Sequence, residues 1–196
     1  MSRRVPKKTR EEILDAAWRL VSKAGVEISL AEIAKAANVS RQAVYLHFGS
    51  RGGLLMALVH RADERFEIRR KFAHIAEEHP PHTRLSATIF LWLDFVVEIS
   101  PVAKDLIRLR PTDDAAAAAW NDRMDELKTW LLALMLSLKQ ENILKQGWTP
   151  EKAAEFFWAL TSVQMWTLLA EECHWPLTDI KQTLAETLSR TLLQPA

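Results

Sequence analysis

Arg41, Gln42, Tyr45 and His47 are the four side chains whose types and spacing most readily suggest chemistry. If residues 41–48 form a helix, Val44 and Phe48 stand four apart on its inner side and the four polar groups fall outside. Arginine and glutamine at the start of such a helix can reach base edges in a DNA major groove. Tyr45 and His47 suit phosphate oxygens, which the positive end of the helix also favours. The plainer alternative is an αα-hairpin whose polar face is only solvated. Catalytic and metal chemistry find little support. The six histidines are scattered with no HExxH pair, and Cys173-His174 lacks the further ligands of a zinc site. There is no GxSxG, no phosphate-cradling glycine loop, and Glu171-Glu172 are neighbours that face apart on a helix. No cofactor is expected.

The polar helix needs elements that position it. Ser40 is a good N-cap for it. Before it, Leu30, Ile33, Ala34 and Ala37 recur at helical period, and Ser29 with Glu32 has capping-box spacing. Asn38 tolerates the left-handed backbone that stops a helix, and Val39 can plug the corner. Residues 30–49 therefore read as a helix-turn-helix. A helix over about 9–24, with Ile13, Ala17, Leu20 and Val21 inward and Gly25 as its stop, would pack behind it. Ser50 caps a fourth helix with a stripe of Leu54 or Leu55, Leu58, Ala62 and Phe66, expected to run to about Glu77, before His79-Pro80-Pro81.

The stretch from Thr9 to about Phe66 resembles the N-terminal domain of TetR-family transcriptional regulators. The resemblance rests on Ile13, Leu14, Ala16, Ala17 and Gly25, then Ser29, Ile33, Ala34 and Val39-Ser40. Its most specific part is Val44-Tyr45-x-His47-Phe48-x-Ser50-Arg51 followed by Leu54-Leu55. It covers roughly the first third of the chain and implies an all-α protein. An N-terminal three-helix helix-turn-helix domain (7–67) is joined by the fourth helix to a larger C-terminal helical domain (68–196) for ligand binding and dimerisation. It further implies a homodimer that binds a double-stranded DNA operator and lets go when a small effector enters the C-terminal domain. Ser40, Arg41, Gln42 and Ala43 fall where family members touch bases; Tyr45, His47 and Arg51 fall where they touch phosphates. Ser29, Lys7 and Lys8 complete the DNA-binding set. Arg51 stands where lysine is usual, and Gly52-Gly53 replaces good helix formers. At about 1 kcal/mol per glycine relative to alanine, this pair predicts a loosened start of the fourth helix.

The remainder reads as helices throughout. One is expected over 83–99, restarting at Pro101 as a short helix to about Leu109. A long helix over 113–145 carries a seam of Trp120, Met124, Leu127, Leu131, Leu134 and Leu138, with Gly147 closing it. A helix from Thr149 to about Cys173 is too densely apolar for one core face, and a last helix over 177–193 has one stripe: Leu177, Ile180, Leu184, Leu188 and Leu192. These last two helices are the expected dimer surface, as a four-helix bundle with their symmetry mates. Six of the eight tryptophans lie between Trp92 and Trp166. Trp92, Phe95, Trp120, Met124, Phe157, Met165 and Trp166 are the candidate lining of an effector pocket, with Arg108 and Arg110 able to hold an anionic group. The same residues at helical spacing also suit an ordinary core. The effector would be small and apolar or amphipathic.

Totals bound these readings. The chain has 196 residues, 48% hydrophobic, enough for a core. The net charge of +1 is silent about partners, but its distribution is not. Residues 1–71 hold 15 Lys+Arg against 8 Asp+Glu, or +7, and residues 72–196 hold 11 against 17, or −6. A basic front and acidic back would orient the molecule on a phosphate surface. Residues 1–8, with Arg3, Arg4, Lys7 and Lys8, read as a disordered basic arm able to follow a DNA backbone or reach a minor groove, or equally as a solvated tail. The single Cys173 allows no intrachain disulfide and fits a reducing cytoplasm. No secretory segment is expected, and the apolar run 130–136 is too short for a membrane. The leading expectation is a repressor released by a small molecule. The alternatives are a DNA-bound architectural or protein-recruiting factor and, least supported by motifs, a small helical enzyme.

Overall fold

The computed structural model describes residues 7–24 and 29–195, without the side chains of 7, 8 and 22–24. The Arg3-Arg4 arm, the Lys7 and Lys8 side chains and the Gly25 stop lie outside the described residues. The helices are α1 (Lys7–Ala24), α2 (Leu30–Ala36), α3 (Arg41–Phe48), α4 (Arg51–Phe66), α5 (Ile68–Glu78), α6 (Pro81–Leu109), α7 (Asp114–Gln140), α8 (Pro150–Leu160), α9 (Val163–Trp166) and α10 (Leu177–Leu192). A π-helical turn, Thr167–Glu172, follows α9. Among the described residues there is no strand, only an isolated antiparallel bridge between Leu144 and Leu193. The chain is all-α, as expected. It groups into two compact units, Met1–Arg65 with Glu98–Asp122, and Phe66–Val97 with Arg123–Ala196.

In the first unit, α1 packs on α2 and α2 on α3. Ile13, Leu14, Ala16, Ala17, Ile33, Ala34, Val44, Leu54 and Leu58 are all buried. Each large side chain among them contributes about 1.5–3 kcal/mol. The start of α1 differs from expectation: Lys7 and Lys8 are already helical rather than part of a free arm. The glycine pair also has a different meaning. A Cβ on Gly52 would lie 2.4 Å from the Ala116 amide nitrogen, and one on Gly53 2.1 Å from the Phe48 carbonyl oxygen. Missing side chains let the first turn of α4 meet backbone on two sides. Gly53 N–H also donates to Ser50 Oγ at 3.0 Å, so this turn is capped and packed, not loose.

Other expected boundaries moved as well. The fourth helix does not run on to Glu77: Glu67 adopts φ 49, ψ 37 and separates α4 from α5. A left-handed non-glycine residue costs about 1–2 kcal/mol, which burial of the neighbouring Ile68 can offset. Conversely, Pro101 lies inside α6 and does not break it. Ile99, Val102 and Leu106 around it are buried, and their burial exceeds the roughly 3 kcal/mol cost of an internal proline. The helix expected over 149–173 is interrupted at Thr161-Ser162. Ser162 Oγ accepts from Met165 N–H at 3.2 Å and starts α9, while the Thr161 carbonyl accepts the Trp92 indole N–H at 2.9 Å. The indole thus takes an acceptor that a continuous helix would have used.

In the second unit the α7 seam is buried at Leu127, Leu131 and Leu138, and the α10 stripe at Ile180, Leu184, Leu188 and Leu192. Asn142, at φ 57, turns the chain after α7 well before Gly147. Lys145 N–H then donates to Leu192 O, and Gln194 N–H to Ile143 O, both at 2.8 Å, tying the α7–α8 connection to the chain end. Helix α6 contains an 18-residue window of mean hydropathy 1.6, long and apolar enough to cross a membrane by composition. Of that window 56% is buried within the protein, as in a core helix.

Candidate nucleic-acid interface

The capped turn was legible in the sequence. Ser29 Oγ accepts from Glu32 N–H at 3.2 Å and donates to Glu32 Oε2 at 2.7 Å, while Ser29 N–H donates to the same carboxylate at 2.8 Å. The Ser29 side-chain bond, then its backbone bond, hold the exposed Glu32 carboxyl below its ordinary value. Asn38 takes φ 54, and Val39 N–H reaches back to the Ala34 carbonyl at 2.9 Å. Ser40 Oγ then accepts from Ala43 N–H at 3.1 Å and opens α3.

From this frame Val44 points fully inward, and Arg41, Gln42 and Tyr45 are exposed. Ala43 is half-buried. The Arg41 guanidinium lies 5.6 Å from the Tyr45 ring centroid and donates to its hydroxyl at 3.3 Å. That cation–π contact orders both long side chains on the same outer face. Phe48 is half-buried rather than fully inward, with Arg10 lying 5.3 Å over its ring. His47 Nε2 is buried and has no hydrogen-bond partner among the described residues. Burial first, and the Arg10 charge second, push the His47 pKa below its ordinary 6.5. A neutral imidazole at pH 7 follows. Arg10 was not singled out from the sequence; its place in the first turns of α1 was the available signal.

Arg51 is placed differently from a solvated phosphate ligand. Its side chain is only 19% exposed and pairs with Asp105, itself 12% exposed, at the end of α6. Arg108 holds the other oxygen of Asp105 at 3.0 Å. One carboxylate thus joins two guanidiniums, and nothing local in the sequence marks a partner 54 residues away.

The candidate effector residues fall in both units: Arg108, Arg110 and Trp120 belong to the first, and the other six to the second. Arg108 is spent on Asp105, and Arg110 lies 5.6 Å over Trp120. Trp92, Phe95 and Phe157 are core residues of the second unit, while Met124, Met165 and Trp166 are half-buried. Met124 Sδ accepts the Trp158 indole N–H at 3.3 Å. Aromatic rings do cluster there: Phe72 stands 5.1 Å from Trp130 and 6.4 Å from Trp92, and Trp92 5.8 Å from Phe95. Phe72 and Trp130 were not among the sequence candidates, and the break at Glu67 set the face of α5 that carries Phe72. Among the described residues no group of His, Cys, Asp and Glu could hold a metal.

A capped helix-turn-helix with a polar outer face, in a helical chain, defines the class of DNA-binding transcription regulators. The family model for bacterial regulatory proteins of the tetR family matches residues 13–58. The HTH-type transcriptional repressor BepR of Brucella suis is 32% identical over 162 residues, covering 78% of this chain and 76% of that protein. The chain therefore belongs to the TetR family. Its fold is shared with a protein assigned as a transcriptional regulator from Saccharomonospora viridis, solved in complex with choline. That match has TM-score 0.79 and 16% identity, covering 97% of this chain and all of the other. It is also shared with SmeT in its triclosan complex, with TM-score 0.73 and 16% identity over 97% and 94% of the two chains.

Proposed function

We propose that this TetR-family transcriptional regulator is a repressor that a small apolar or amphipathic molecule releases from its operator. The observation that carries the DNA side is the exposed α3 face, where Arg41 and Gln42 stand at the positive end of a helix with Ser40 as its cap. In this reading Ser40, Arg41, Gln42 and Ala43 meet base edges, and Tyr45 and His47 meet phosphates. Ser29, Lys7 and Lys8 flank them. Arg51 is a phosphate cation that Asp105 holds in the absence of DNA. By role, residues 7–67 read DNA through the helix-turn-helix at 30–49, and residues 68–196 bind effector and dimerise. The protein acts in the cytoplasm on duplex DNA.

The homodimer would use the last two long segments of the chain. Leu168 and Trp175 are 48% and 41% exposed, and support that reading. The α10 stripe does not, because it is buried within the protomer. The effector reading draws on the aromatic cluster of the second unit and on the ligand complexes of the two structural neighbours. The candidate pocket residues keep that role as part of the proposal.

The test is selection of bound duplexes from a random library, followed by affinity measurements with and without a panel of apolar ligands. Sequence-selective binding released by a ligand is the expected result. Selective binding that no ligand alters, with a protein co-purifying, favours the recruiting alternative. Absence of duplex selection overturns the DNA reading.

A further inference from the structure

A cavity of about 500 Å³ opens on the DNA-binding head, away from the outer face of α3. It lies between one side of α1, the end of α2 and the last turns of α4, wholly within the first unit. That volume is in the range of small-molecule sites, about 300–1,000 Å³. We propose that it binds an aromatic carboxylate: a flat apolar body carrying one planar anionic group.

The walls specify that chemistry. Trp18, half-buried, supplies an indole face, and Ala36, Ala37 and Ala62 supply small apolar contacts. A flat ring can stack on the first and approach the others closely. The charges along the rim are unequal in their commitments. Arg61 pairs with Asp15 at 2.5 Å and with Glu11 at 3.8 Å, which engages one guanidinium with two partly exposed carboxylates. Glu12 also has a partner. Arg19 and Arg65 are exposed and make no ion pair or hydrogen bond among the described residues. Two uncommitted guanidiniums beside an aromatic wall favour an anion, and their planar forks match a carboxylate. Among the described residues no histidine, serine or cysteine lines the cavity.

Its position gives binding a consequence. Ala36, Ala37 and Asn38 are the end of α2 and the turn that aims α3. An occupant touches the turn directly and cancels one positive charge of the head, so it weakens association with DNA, most at low salt.

The experiment titrates the full-length protein with 2-naphthoate by calorimetry, with the neutral 2-naphthamide as the matched control. Sub-millimolar binding of naphthoate, at least tenfold tighter than the amide, is expected. The Arg19→Gln/Arg65→Gln double variant should lose at least tenfold in naphthoate affinity. Its thermal midpoint should be unchanged, because both side chains are exposed and make no ion pair or hydrogen bond among the described residues. Trp18→Phe should retain most of the affinity, and the Trp18 indole N–H resonance should shift on binding. Equal affinity for the amide, or full naphthoate affinity in the double variant, overturns the proposal; the second result places the ligand elsewhere in the chain. Failure of duplex selection would leave these binding outcomes untouched, so the two readings fail separately.

Discussion

If Asp105 and a DNA phosphate compete for Arg51, neutralising Asp105 should strengthen operator binding. The substitution is Asp105→Asn, which keeps an oxygen for Arg51 and Arg108 but removes the charge. The pair is neither an exposed nor a fully buried one: its side chains are 19% and 12% exposed. Exposed pairs are worth about 0.2–1 kcal/mol, and breaking a fully buried pair costs about 3–5 kcal/mol. During exchange Arg108 stays on Asp105 and a phosphate replaces Asp105 on Arg51, so little charge is left uncompensated. The energy spent on exchange is then about 1–2 kcal/mol, and removing it should tighten binding roughly 5- to 30-fold.

The assay is operator anisotropy across a salt series, run as a double-mutant cycle with Arg51→Ala. Arg51→Ala should flatten the slope of log affinity against log salt by about 0.9, one phosphate contact. In the Arg51→Ala background, Asp105→Asn should no longer change affinity, because the competition has lost its object. Both variants should lower thermal stability, so affinities are compared well below each midpoint. The reasoning is refuted if Asp105→Asn changes affinity equally in both backgrounds, or if Arg51→Ala leaves the salt slope intact. Arg51 would then be a brace for α4 and not a DNA contact.

Other expected outcomes rest on single features. Gly52→Ala should destabilise despite a helix-propensity gain of about 1 kcal/mol, because its Cβ would sit 2.4 Å from backbone at Ala116. Overpacking of about 1–3 kcal/mol leaves a loss of up to ~2 kcal/mol, or up to roughly 4–8 °C in Tm; a raised midpoint would refute it. Gln42→Ala should relax sequence preference in a selection experiment, whereas Tyr45→Phe should weaken all duplexes alike. A unchanged selected motif with Gln42→Ala would remove that residue from base reading. His47 has a pKa below 6.5 in the folded protein and about 6.5 when unfolded. The unfolded chain therefore takes up the proton first, so the contribution of His47 is full above pH 6.5 and is lost as pH falls towards the lowered value. Between pH 7.5 and 5.5 the midpoint of the parent should fall further than that of His47→Gln; parallel curves would contradict the sign.

How much was readable depends on how far apart the deciding atoms lie. The helix-turn-helix was readable because its devices are local. The Ser29–Glu32 box and the Ser40 cap are side-chain bonds that act within three residues, and the Asn38 turn needs one residue that tolerates a left-handed backbone. Period alone separated Val44 from Arg41, Gln42 and Tyr45. The C-terminal boundaries were less readable because distant partners decide them. Thr161-Ser162 is a local invitation to stop a helix. Whether it is accepted depends on the Trp92 indole, 69 residues away in sequence, taking the Thr161 carbonyl. Pro101 sent the opposite signal, and burial of its neighbours overrode it.

Gly52-Gly53 shows why a propensity scale gives the wrong sign at such a place. A scale prices the missing side chain as lost helix stability, about 1 kcal/mol each. The structure uses the same absence as room, bringing α4 against the backbone at Ala116 and at Phe48. Arg51 stands one residue before that contact and Asp105 fastens it there. Close backbone approach and a mostly buried ion pair fix the same helical turn from two directions. The turn begins two residues after Gly49, the C-cap of α3. Anything that shifts α4 must therefore disturb either a backbone contact with no slack or an ion pair with a second cation in reserve. The ion pair is the softer of the two, which is why Asp105, outside the helix-turn-helix, is the residue expected to tune its affinity.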